Sequence, residues 1–215
     1  KYFKTDDLKK CSRFWIILFK TILSKLYHWK IYVVGSVEYQ YPNHLFQAGY
    51  FLDKKYYDEN TIDFKHLLLS EKNQSLLKDI QNSNSVGVHI RRGDYMTKQN
   101  LVIFGNICTQ KYYHDAIRII TEKVNDAVFY VFSDDISWVQ THLDIPNAVY
   151  VNWNTGESSI YDMYLMSSCK YNIIANSTFS YWAARLNKKT NMVIYPSKWY
   201  NTFTPDIFPE SWCGI

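Results

Sequence analysis

Two arginines stand side by side in the run His89-Ile90-Arg91-Arg92-Gly93-Asp94. Residues 86–90 read VGVHI, a short apolar run that predicts a buried strand. Adjacent guanidinium groups at the end of such a strand are costly unless an anion meets them. The planar fork of arginine suits phosphate oxygens, two at a time. A diphosphate leaving group gathers negative charge as it departs, so a fixed guanidinium at Arg91 or Arg92 would speed its departure. Gly93 permits a turn or a close backbone approach. Asp94 either holds an arginine in place or accepts a proton. A structural Arg–Asp network at a strand end explains the same residues without chemistry, and the motif alone leaves both readings open. The tripeptide Arg92-Gly93-Asp94, read as an adhesion signal, carries little weight, because three residues recur by chance.

A second set of groups is Asn176-Ser177-Thr178-Phe179, between the apolar run 172–175 (NIIA) and a predicted helix over 181–186. Small hydroxyl residues there either cap that helix or, with its backbone N–H groups, receive a phosphate. Asn176-Ser177-Thr178 is also a formal N-glycosylation sequon. Asp162 opens a predicted helix over 159–169. It either complements the helix N-terminus or accepts hydrogen bonds from a guanine N–H edge. Asp134 and Asp135 look like a metal pair, but residues so placed after a strand more often cap the next helix, here 136–142. His28, His44, His66, His114 and His142 lack partners at ligand spacing. No metal site is expected.

The elements that must position these groups alternate along the chain. Residues 8–30 read as a helix, 32–39 as extended, 47–57 as turn-rich and aromatic, and 67–81 as a helix. The polar stretch 81–85 (QNSNS) breaks the pattern and suggests a linker or boundary. After it come strands at 86–90, 128–133, 148–151, 172–175 and 192–195. Helices are expected at 112–124, 136–142, 159–169 and 181–186. Such alternation argues for a parallel α/β sheet, whose ligands sit beyond the carboxyl ends of its strands. Residues 89–94, 133–135 and 176–178 all follow strand ends, so they should converge.

Bulk composition narrows the classes. The chain has 215 residues, enough for one large domain or two small ones. Hydrophobic residues make up 47%, which excludes disorder. A net charge of +4 suits an anionic small molecule. It falls short of a nucleic-acid footprint, because the lysines are scattered rather than striped. With 19 Tyr and 7 Trp the chain could stack sugar rings, or could fill a core. Cys11, Cys108, Cys169 and Cys213 form no CxxC pair and suggest reduced thiols. The apolar run 14–26 is interrupted by Lys20 and Lys25, which predicts an amphipathic helix rather than a membrane span.

The stretch VGVHIRRGDY (86–95) resembles the HxRRxD motif of α-1,2-fucosyltransferases, glycosyltransferase family eleven. Residues 102–117 (VIFGNICTQKYYHDAI), 129–140 (FYVFSDDISWVQ), 162–187 and 193–200 (VIYPSKWY) resemble the motifs that follow it in that family, and 47–57 (QAGYFLDKKYY) one that precedes it. The resemblance implies a GT-B architecture: two Rossmann-like domains, here a partial acceptor-side domain at 1–83 and a complete donor domain at 84–200, with a tail at 201–215. Family members begin with a GGLGNQ-like segment that is absent here, so the N-terminal domain is expected to be truncated. The implied reaction is inverting transfer of L-fucose from GDP-β-L-fucose to the 2-hydroxyl of a galactose-containing glycan. Related α-1,6 or protein O-fucosyltransferases, or an inactive nucleotide-sugar-binding chain, are the alternatives. By motif, Arg91 or Arg92 holds the diphosphate, with His89 near the nucleotide. Asp162 resembles the guanine-reading acid, and Ser177, Thr178 and Phe179 line the phosphate pocket. Asp94 is the candidate base. The donor is GDP-fucose, with no metal and no other cofactor. The expected place is cytoplasmic, peripheral at the inner membrane.

Overall fold

A computed structural model describes residues 63–215 in full, and of the earlier part only three strand segments: β1 (Phe3–Lys4), β2 (Tyr32–Val34) and β3 (Phe46–Ala48). The helices expected at 8–30 and 14–26, Cys11 and residues 49–57 lie outside the described residues. The chain divides into two compact units. One holds 1–4, 62–204 and 208–215, and the other holds 5–61 and 205–207. In the second unit, β2 and β3 pair in parallel. In the first, β1 pairs antiparallel with β4 (Asp63–Phe64).

The first unit is an α/β layer structure, as the alternation of patterns requires. Helix α1 (Glu71–Asn82) leads into β5 (Asn84–Ile90). A short turn, Gly93–Met96, then precedes α2 (Lys98–Phe104) and α3 (Gln110–Thr121). Next come β6 (Ala127–Ser133), α4 (Ile136–His142), β7 (Ala148–Val151) and α5 (Ser159–Met166). The chain closes with β8 (Tyr171–Ile173), α6 (Thr178–Arg185), β9 (Met192–Tyr195) and β10 (Cys213–Gly214). Six strands form one parallel sheet in the order β7-β6-β5-β8-β9-β10. In chain order from β5 this is 3-2-1-4-5-6, the doubly wound arrangement, and it reverses direction between β5 and β8.

Both faces of the sheet are covered, so its central strands are apolar on both sides. Val86, Val88 and Ile90 of β5 pack with Phe129 and Val131 of β6 and with Tyr113, Ala116 and Ile120 of α3. That spacing on α3 is one helix stripe, and Thr109 caps its start by accepting from the Tyr112 N–H at 3.3 Å. On the other face, Leu76 and Ile80 of α1 pack with Tyr130, Phe132, Leu165, Met166 and Ala183. Gly87 faces this layer, where an added Cβ would stand 2.9 Å from Asn172 Nδ2 and 3.0 Å from Met166 Cγ. A side chain there would have to displace the side chains of Asn172, Met166 and Cys169.

Two expectations change, and one alternative is narrowed. The polar stretch 81–85 is no linker: Ser83 alone joins α1 to β5, because Asn84 and Ser85 enter the ladder and Ser85 Oγ accepts from the Lys170 N–H at 3.1 Å. The boundary expected between 83 and 84 therefore falls inside the compact unit. The tail is not separate either, since β10 pairs in parallel with β9. Finally, several aromatics build a core. Tyr181 and Trp199 are buried, and Tyr195 stacks on Phe208 at 3.8 Å with Trp212 beside them. Among the described residues no helix is long and apolar enough to cross a membrane.

Candidate functional site

The reversal between β5 and β8 opens a crevice at the carboxyl ends of the strands, where open α/β sheets take their ligands. A cavity of about 540 Å³ lies there. His89 and Arg91 from the end of β5, Ser133 and Asp134 from β6, Asn152, Asn154 and Thr155 from the loop after β7, Ser159 and Asp162 from α5, and Phe179 from α6 line it.

Strand alternation places His89. Val88 and Ile90 face α3, so His89 points to the opposite layer, 5% exposed and 5.0 Å from the Phe179 ring. Its Nδ1 is buried with no hydrogen-bond partner among the described residues. Burial first, and Arg91 second, lower its pKa to about 3. At neutral pH it is a neutral imidazole offering one donor and one acceptor.

The two arginines part company. Arg91 lines the cavity, donating to Asp94 Oδ1 at 2.6 Å and pairing with Asp134 Oδ2 at 2.9 Å. Its side chain remains one-third exposed. Arg92 points elsewhere. Its Nε donates to Asp135 Oδ2 at 3.1 Å, and its guanidinium lies 3.6 Å from the centre of the Trp138 ring. It lines a separate cavity of about 220 Å³ with Tyr95, Phe104 and Trp138, to which Arg91 also contributes. Asp134 Oδ1 accepts from the Arg92 N–H at 2.9 Å. An added Cβ on Gly93 would sit 2.4 Å from Asp134 Oδ2, so a side chain there would displace the carboxylate that pairs with Arg91.

Asp135 caps α4, accepting from the Trp138 N–H at 3.1 Å. The acidic pair is thus committed to arginines and a helix end. No group of three or more metal-capable side chains gathers among the described residues. Asp94 is exposed at the rim, paired with Arg91, and does not line the larger cavity.

Asp162 sits in the first turn of α5, 9% exposed. Asn154 Nδ2 donates to its Oδ1 at 2.7 Å. Burial raises its pKa to about 7, and the Asn154 bond opposes part of that rise. An uncompensated carboxylate in such a place is poised to accept N–H donors.

The loop after β8 is pinned from several sides. Asn176, 2% exposed, donates through Nδ2 to the carbonyls of Phe104 and Trp199 and accepts from Cys108 Sγ. That burial removes the sequon from use. Ser180, rather than Ser177, ties down the start of α6 by accepting from the Ala175 N–H at 3.2 Å. Ser177 is nearly buried, and neither it nor the exposed Thr178 lines the larger cavity; of this run only Phe179 does.

Of the residues singled out by sequence, His89, Arg91, Asp162 and Phe179 therefore share one cavity. Arg92, Asp94, Ser177 and Thr178 lie outside it. Asn154, Thr155 and Ser159 were missed. The signal was available, since residues 152–155 (NWNT) are a fourth polar cluster after a strand end.

The chain is similar in sequence to known proteins. The chain is 35% identical over 196 residues to the alpha-1,2-colitosyltransferase of Escherichia coli, covering 84% of this chain and 63% of that protein. It is 44% identical over 122 residues to the O-antigen biosynthesis glycosyltransferase WbnK of Escherichia coli, covering 56% and 40%. It is 28% identical over 163 residues to the galactoside alpha-(1,2)-fucosyltransferase 2 of Pongo pygmaeus, covering 70% and 48%. The chain thus spans under two-thirds of the length of these relatives. The family model for glycosyl transferase family 11 matches residues 12–215, more than half of the sequence by a wide margin, and the chain belongs to that family.

Proposed function

We propose that this chain binds GDP-β-L-fucose and transfers the sugar, with inversion, to the 2-hydroxyl of a galactose-containing glycan. The observation that carries the reading is the shared cavity. It sets the Arg91 guanidinium and the buried Asp162 carboxylate at one sheet crevice, with neutral His89 and Phe179 between the strand ends. Asp162 suits the N–H edge of guanine, and Arg91 suits the diphosphate.

In this mechanism the acceptor oxygen attacks the anomeric carbon while the bond from that carbon to the phosphate oxygen breaks. The electron pair leaves with GDP, and Arg91 stabilises the charge that builds there. On donor arrival Arg91 exchanges a carboxylate partner for phosphate oxygens. Because a fixed guanidinium supplies this stabilisation, the proposed reaction uses no metal. Asp94 takes the acceptor proton, with Arg91 holding one of its oxygens at 2.6 Å. Asp94→Asn should abolish nearly all turnover while GDP-fucose binding persists. Substantial residual turnover would instead favour an oxocarbenium-like path with little base assistance.

The likeness to a protein named for colitosyl transfer favours a second donor. Colitose is fucose without its 3-hydroxyl, so the same nucleotide pocket serves both. Calorimetric titration with GDP, GDP-fucose and GDP-colitose tests the whole reading. GDP-fucose binding tighter than GDP-colitose supports the fucosyl donor, and the reverse order replaces it. An absence of GDP binding would leave a chain of this family that does not bind the donor.

A further inference from the structure

Asp162 is not held by its neighbours in the cavity alone. Behind it lies a chain of three polar side chains whose order is dictated by one indole. Trp153 Nε1 lies 2.7 Å from Asn73 Oδ1. An indole nitrogen only donates, so the atom it meets on Asn73 is the amide oxygen. The other end of that amide is then Nδ2, and it donates to Asn154 Oδ1 at 3.0 Å. Asn154 must in turn present Nδ2 on its remaining side. That nitrogen has two hydrogens, one directed to Asn73 Oδ1 at 3.1 Å and one to Asp162 Oδ1 at 2.7 Å. Each amide orientation follows from the one before it.

Asn73 lies in the first turn of α1, 1% exposed, and lines neither the donor cavity nor the smaller one beside it. Its buried amide is otherwise unexplained. Asparagine is a poor helix former, and a leucine or methionine would fill the same place in an apolar layer. We infer that Asn73 and Trp153 are positioning residues for the donor base. Acting through Asn154, they bind one oxygen of Asp162 as an acceptor and leave the other turned to the ligand as an acceptor too. This rests on the proposed GDP reading and deepens it. Discrimination of guanine is assigned to a relay reaching back into α1, rather than to Asp162 by itself.

Two consequences can be measured. Base selectivity should depend on the relay, since a carboxylate that has lost its Asn154 donor is free to protonate and then presents an O–H where guanine needs an acceptor. The pH at which GDP binding weakens should move for the same reason. The titratable and charged groups that share the cavity with Asp162 are His89 at the end of β5, Arg91 just after it and Asp134 just after β6, with Lys72 of α1 3.7 Å from the Trp153 ring. His89 stays neutral through this range, because burial and Arg91 hold its pKa at about 3. The titrating carboxyl is that of Asp162.

The test is calorimetric titration of the full chain with GDP and ADP from about pH 6 to about pH 9, a range bracketing Asp162. Asn73→Ala should weaken GDP about tenfold with ADP little changed, and should shift the midpoint of the pH dependence upward. Trp153→Phe keeps the ring and loses the donor. It should do the same to a smaller degree, and it guards against an Asn73→Ala protein that fails to fold. In an Asp162→Asn background, Asn73→Ala should change GDP affinity by less than about twofold, since coupled residues are not additive. A parent chain that binds no GDP would overturn the donor reading and this inference with it. A parent that binds GDP would overturn the relay alone if the midpoint stayed put in folded Asn73→Ala and Trp153→Phe. An equal loss in the Asp162→Asn background would do the same.

Discussion

The two ends of the cavity solve opposite problems. At the end of β5, Arg91, Asp94 and Asp134 form a charged network whose side chains are 33%, 57% and 27% exposed. In water such pairs contribute little to stability. Their charges are therefore cheap to re-pair, and in the proposed donor complex a diphosphate takes over Arg91 without disturbing the core. At α5, Asp162 is nearly buried and forms no ion pair among the described residues. Among the described residues its compensation is one amide bond, from Asn154. A charged Asp162 is costly to hold there, and the cost is relieved by protonation or, in the proposed donor complex, by a ligand that brings N–H donors. Under the proposed function, one end suits exchange and the other selection.

The largest expected effect breaks the exchange end. Arg91→Ala should weaken GDP binding by at least about 100-fold, since truncating one partner of a close charge pair costs several kcal/mol. The thermal midpoint should move little, because the pairs it leaves are exposed. Calorimetry and a melting curve on the same sample separate the two. A large drop in the midpoint would mean that Arg91 is structural after all.

Asp162→Asn breaks the selecting end and should show the opposite pairing of effects. GDP should weaken by about 10- to 100-fold, as a charge-assisted acceptor is replaced by a neutral amide. Without ligand, the variant should melt higher than the parent at about pH 8. The sign follows from linkage. Burial raises the Asp162 pKa from an unfolded value of about 3.9 to about 7 in the fold. Between those values the folded state holds the extra proton, so stability falls as pH rises through the window. Above about 7 the full cost of the buried charge is present, and asparagine removes it.

His89 supplies a smaller effect in the opposite direction. Its folded pKa of about 3 lies below the ordinary 6.5. The unfolded chain therefore binds the extra proton between those values, and stability is lost as pH falls from about 6.5 toward 3. His89→Gln should flatten the acid limb of a stability-against-pH curve below about 6.5 and leave the alkaline limb unchanged.

Which of these residues the sequence disclosed follows from how each is placed. The sheet was readable because β5, β6, β7 and β9 each contain a short run rich in apolar residues, and their bounds match the expected ones to within two residues. Strand β10 was not readable. Two residues, Cys213 and Gly214, carry no period, and only pairing with β9 makes them a strand. Helix α2 was also missed, since its apolar residues Val102 and Ile103 point outward. At the site, His89 and Arg91 could be named because they follow a strand directly. Asn73 could not, since it acts across about 80 residues through Asn154, and no local pattern marks a contact of that span.

Arg92 is the sharpest instance, because sequence could not separate it from its neighbour. Successive residues after a strand turn to opposite sides, and one step in the chain carries Arg92 from the cavity to the Trp138 ring and Asp135. Its partners hold it as a brace between the β5 turn and α4. Arg92→Ala should therefore destabilise the fold by about 1 kcal/mol, through a partly exposed ion pair and a cation–π contact. GDP should weaken by less than about fivefold, indirectly, because the Asp134 carboxylate still accepts from the backbone N–H of residue 92 and still faces Arg91. Arg92→Lys should restore most of the stability and none of the planar stacking. A loss of GDP binding as large as that of Arg91→Ala would show that Arg92 swings into the donor cavity when ligand binds, and the division of labour between the arginines would have to be withdrawn.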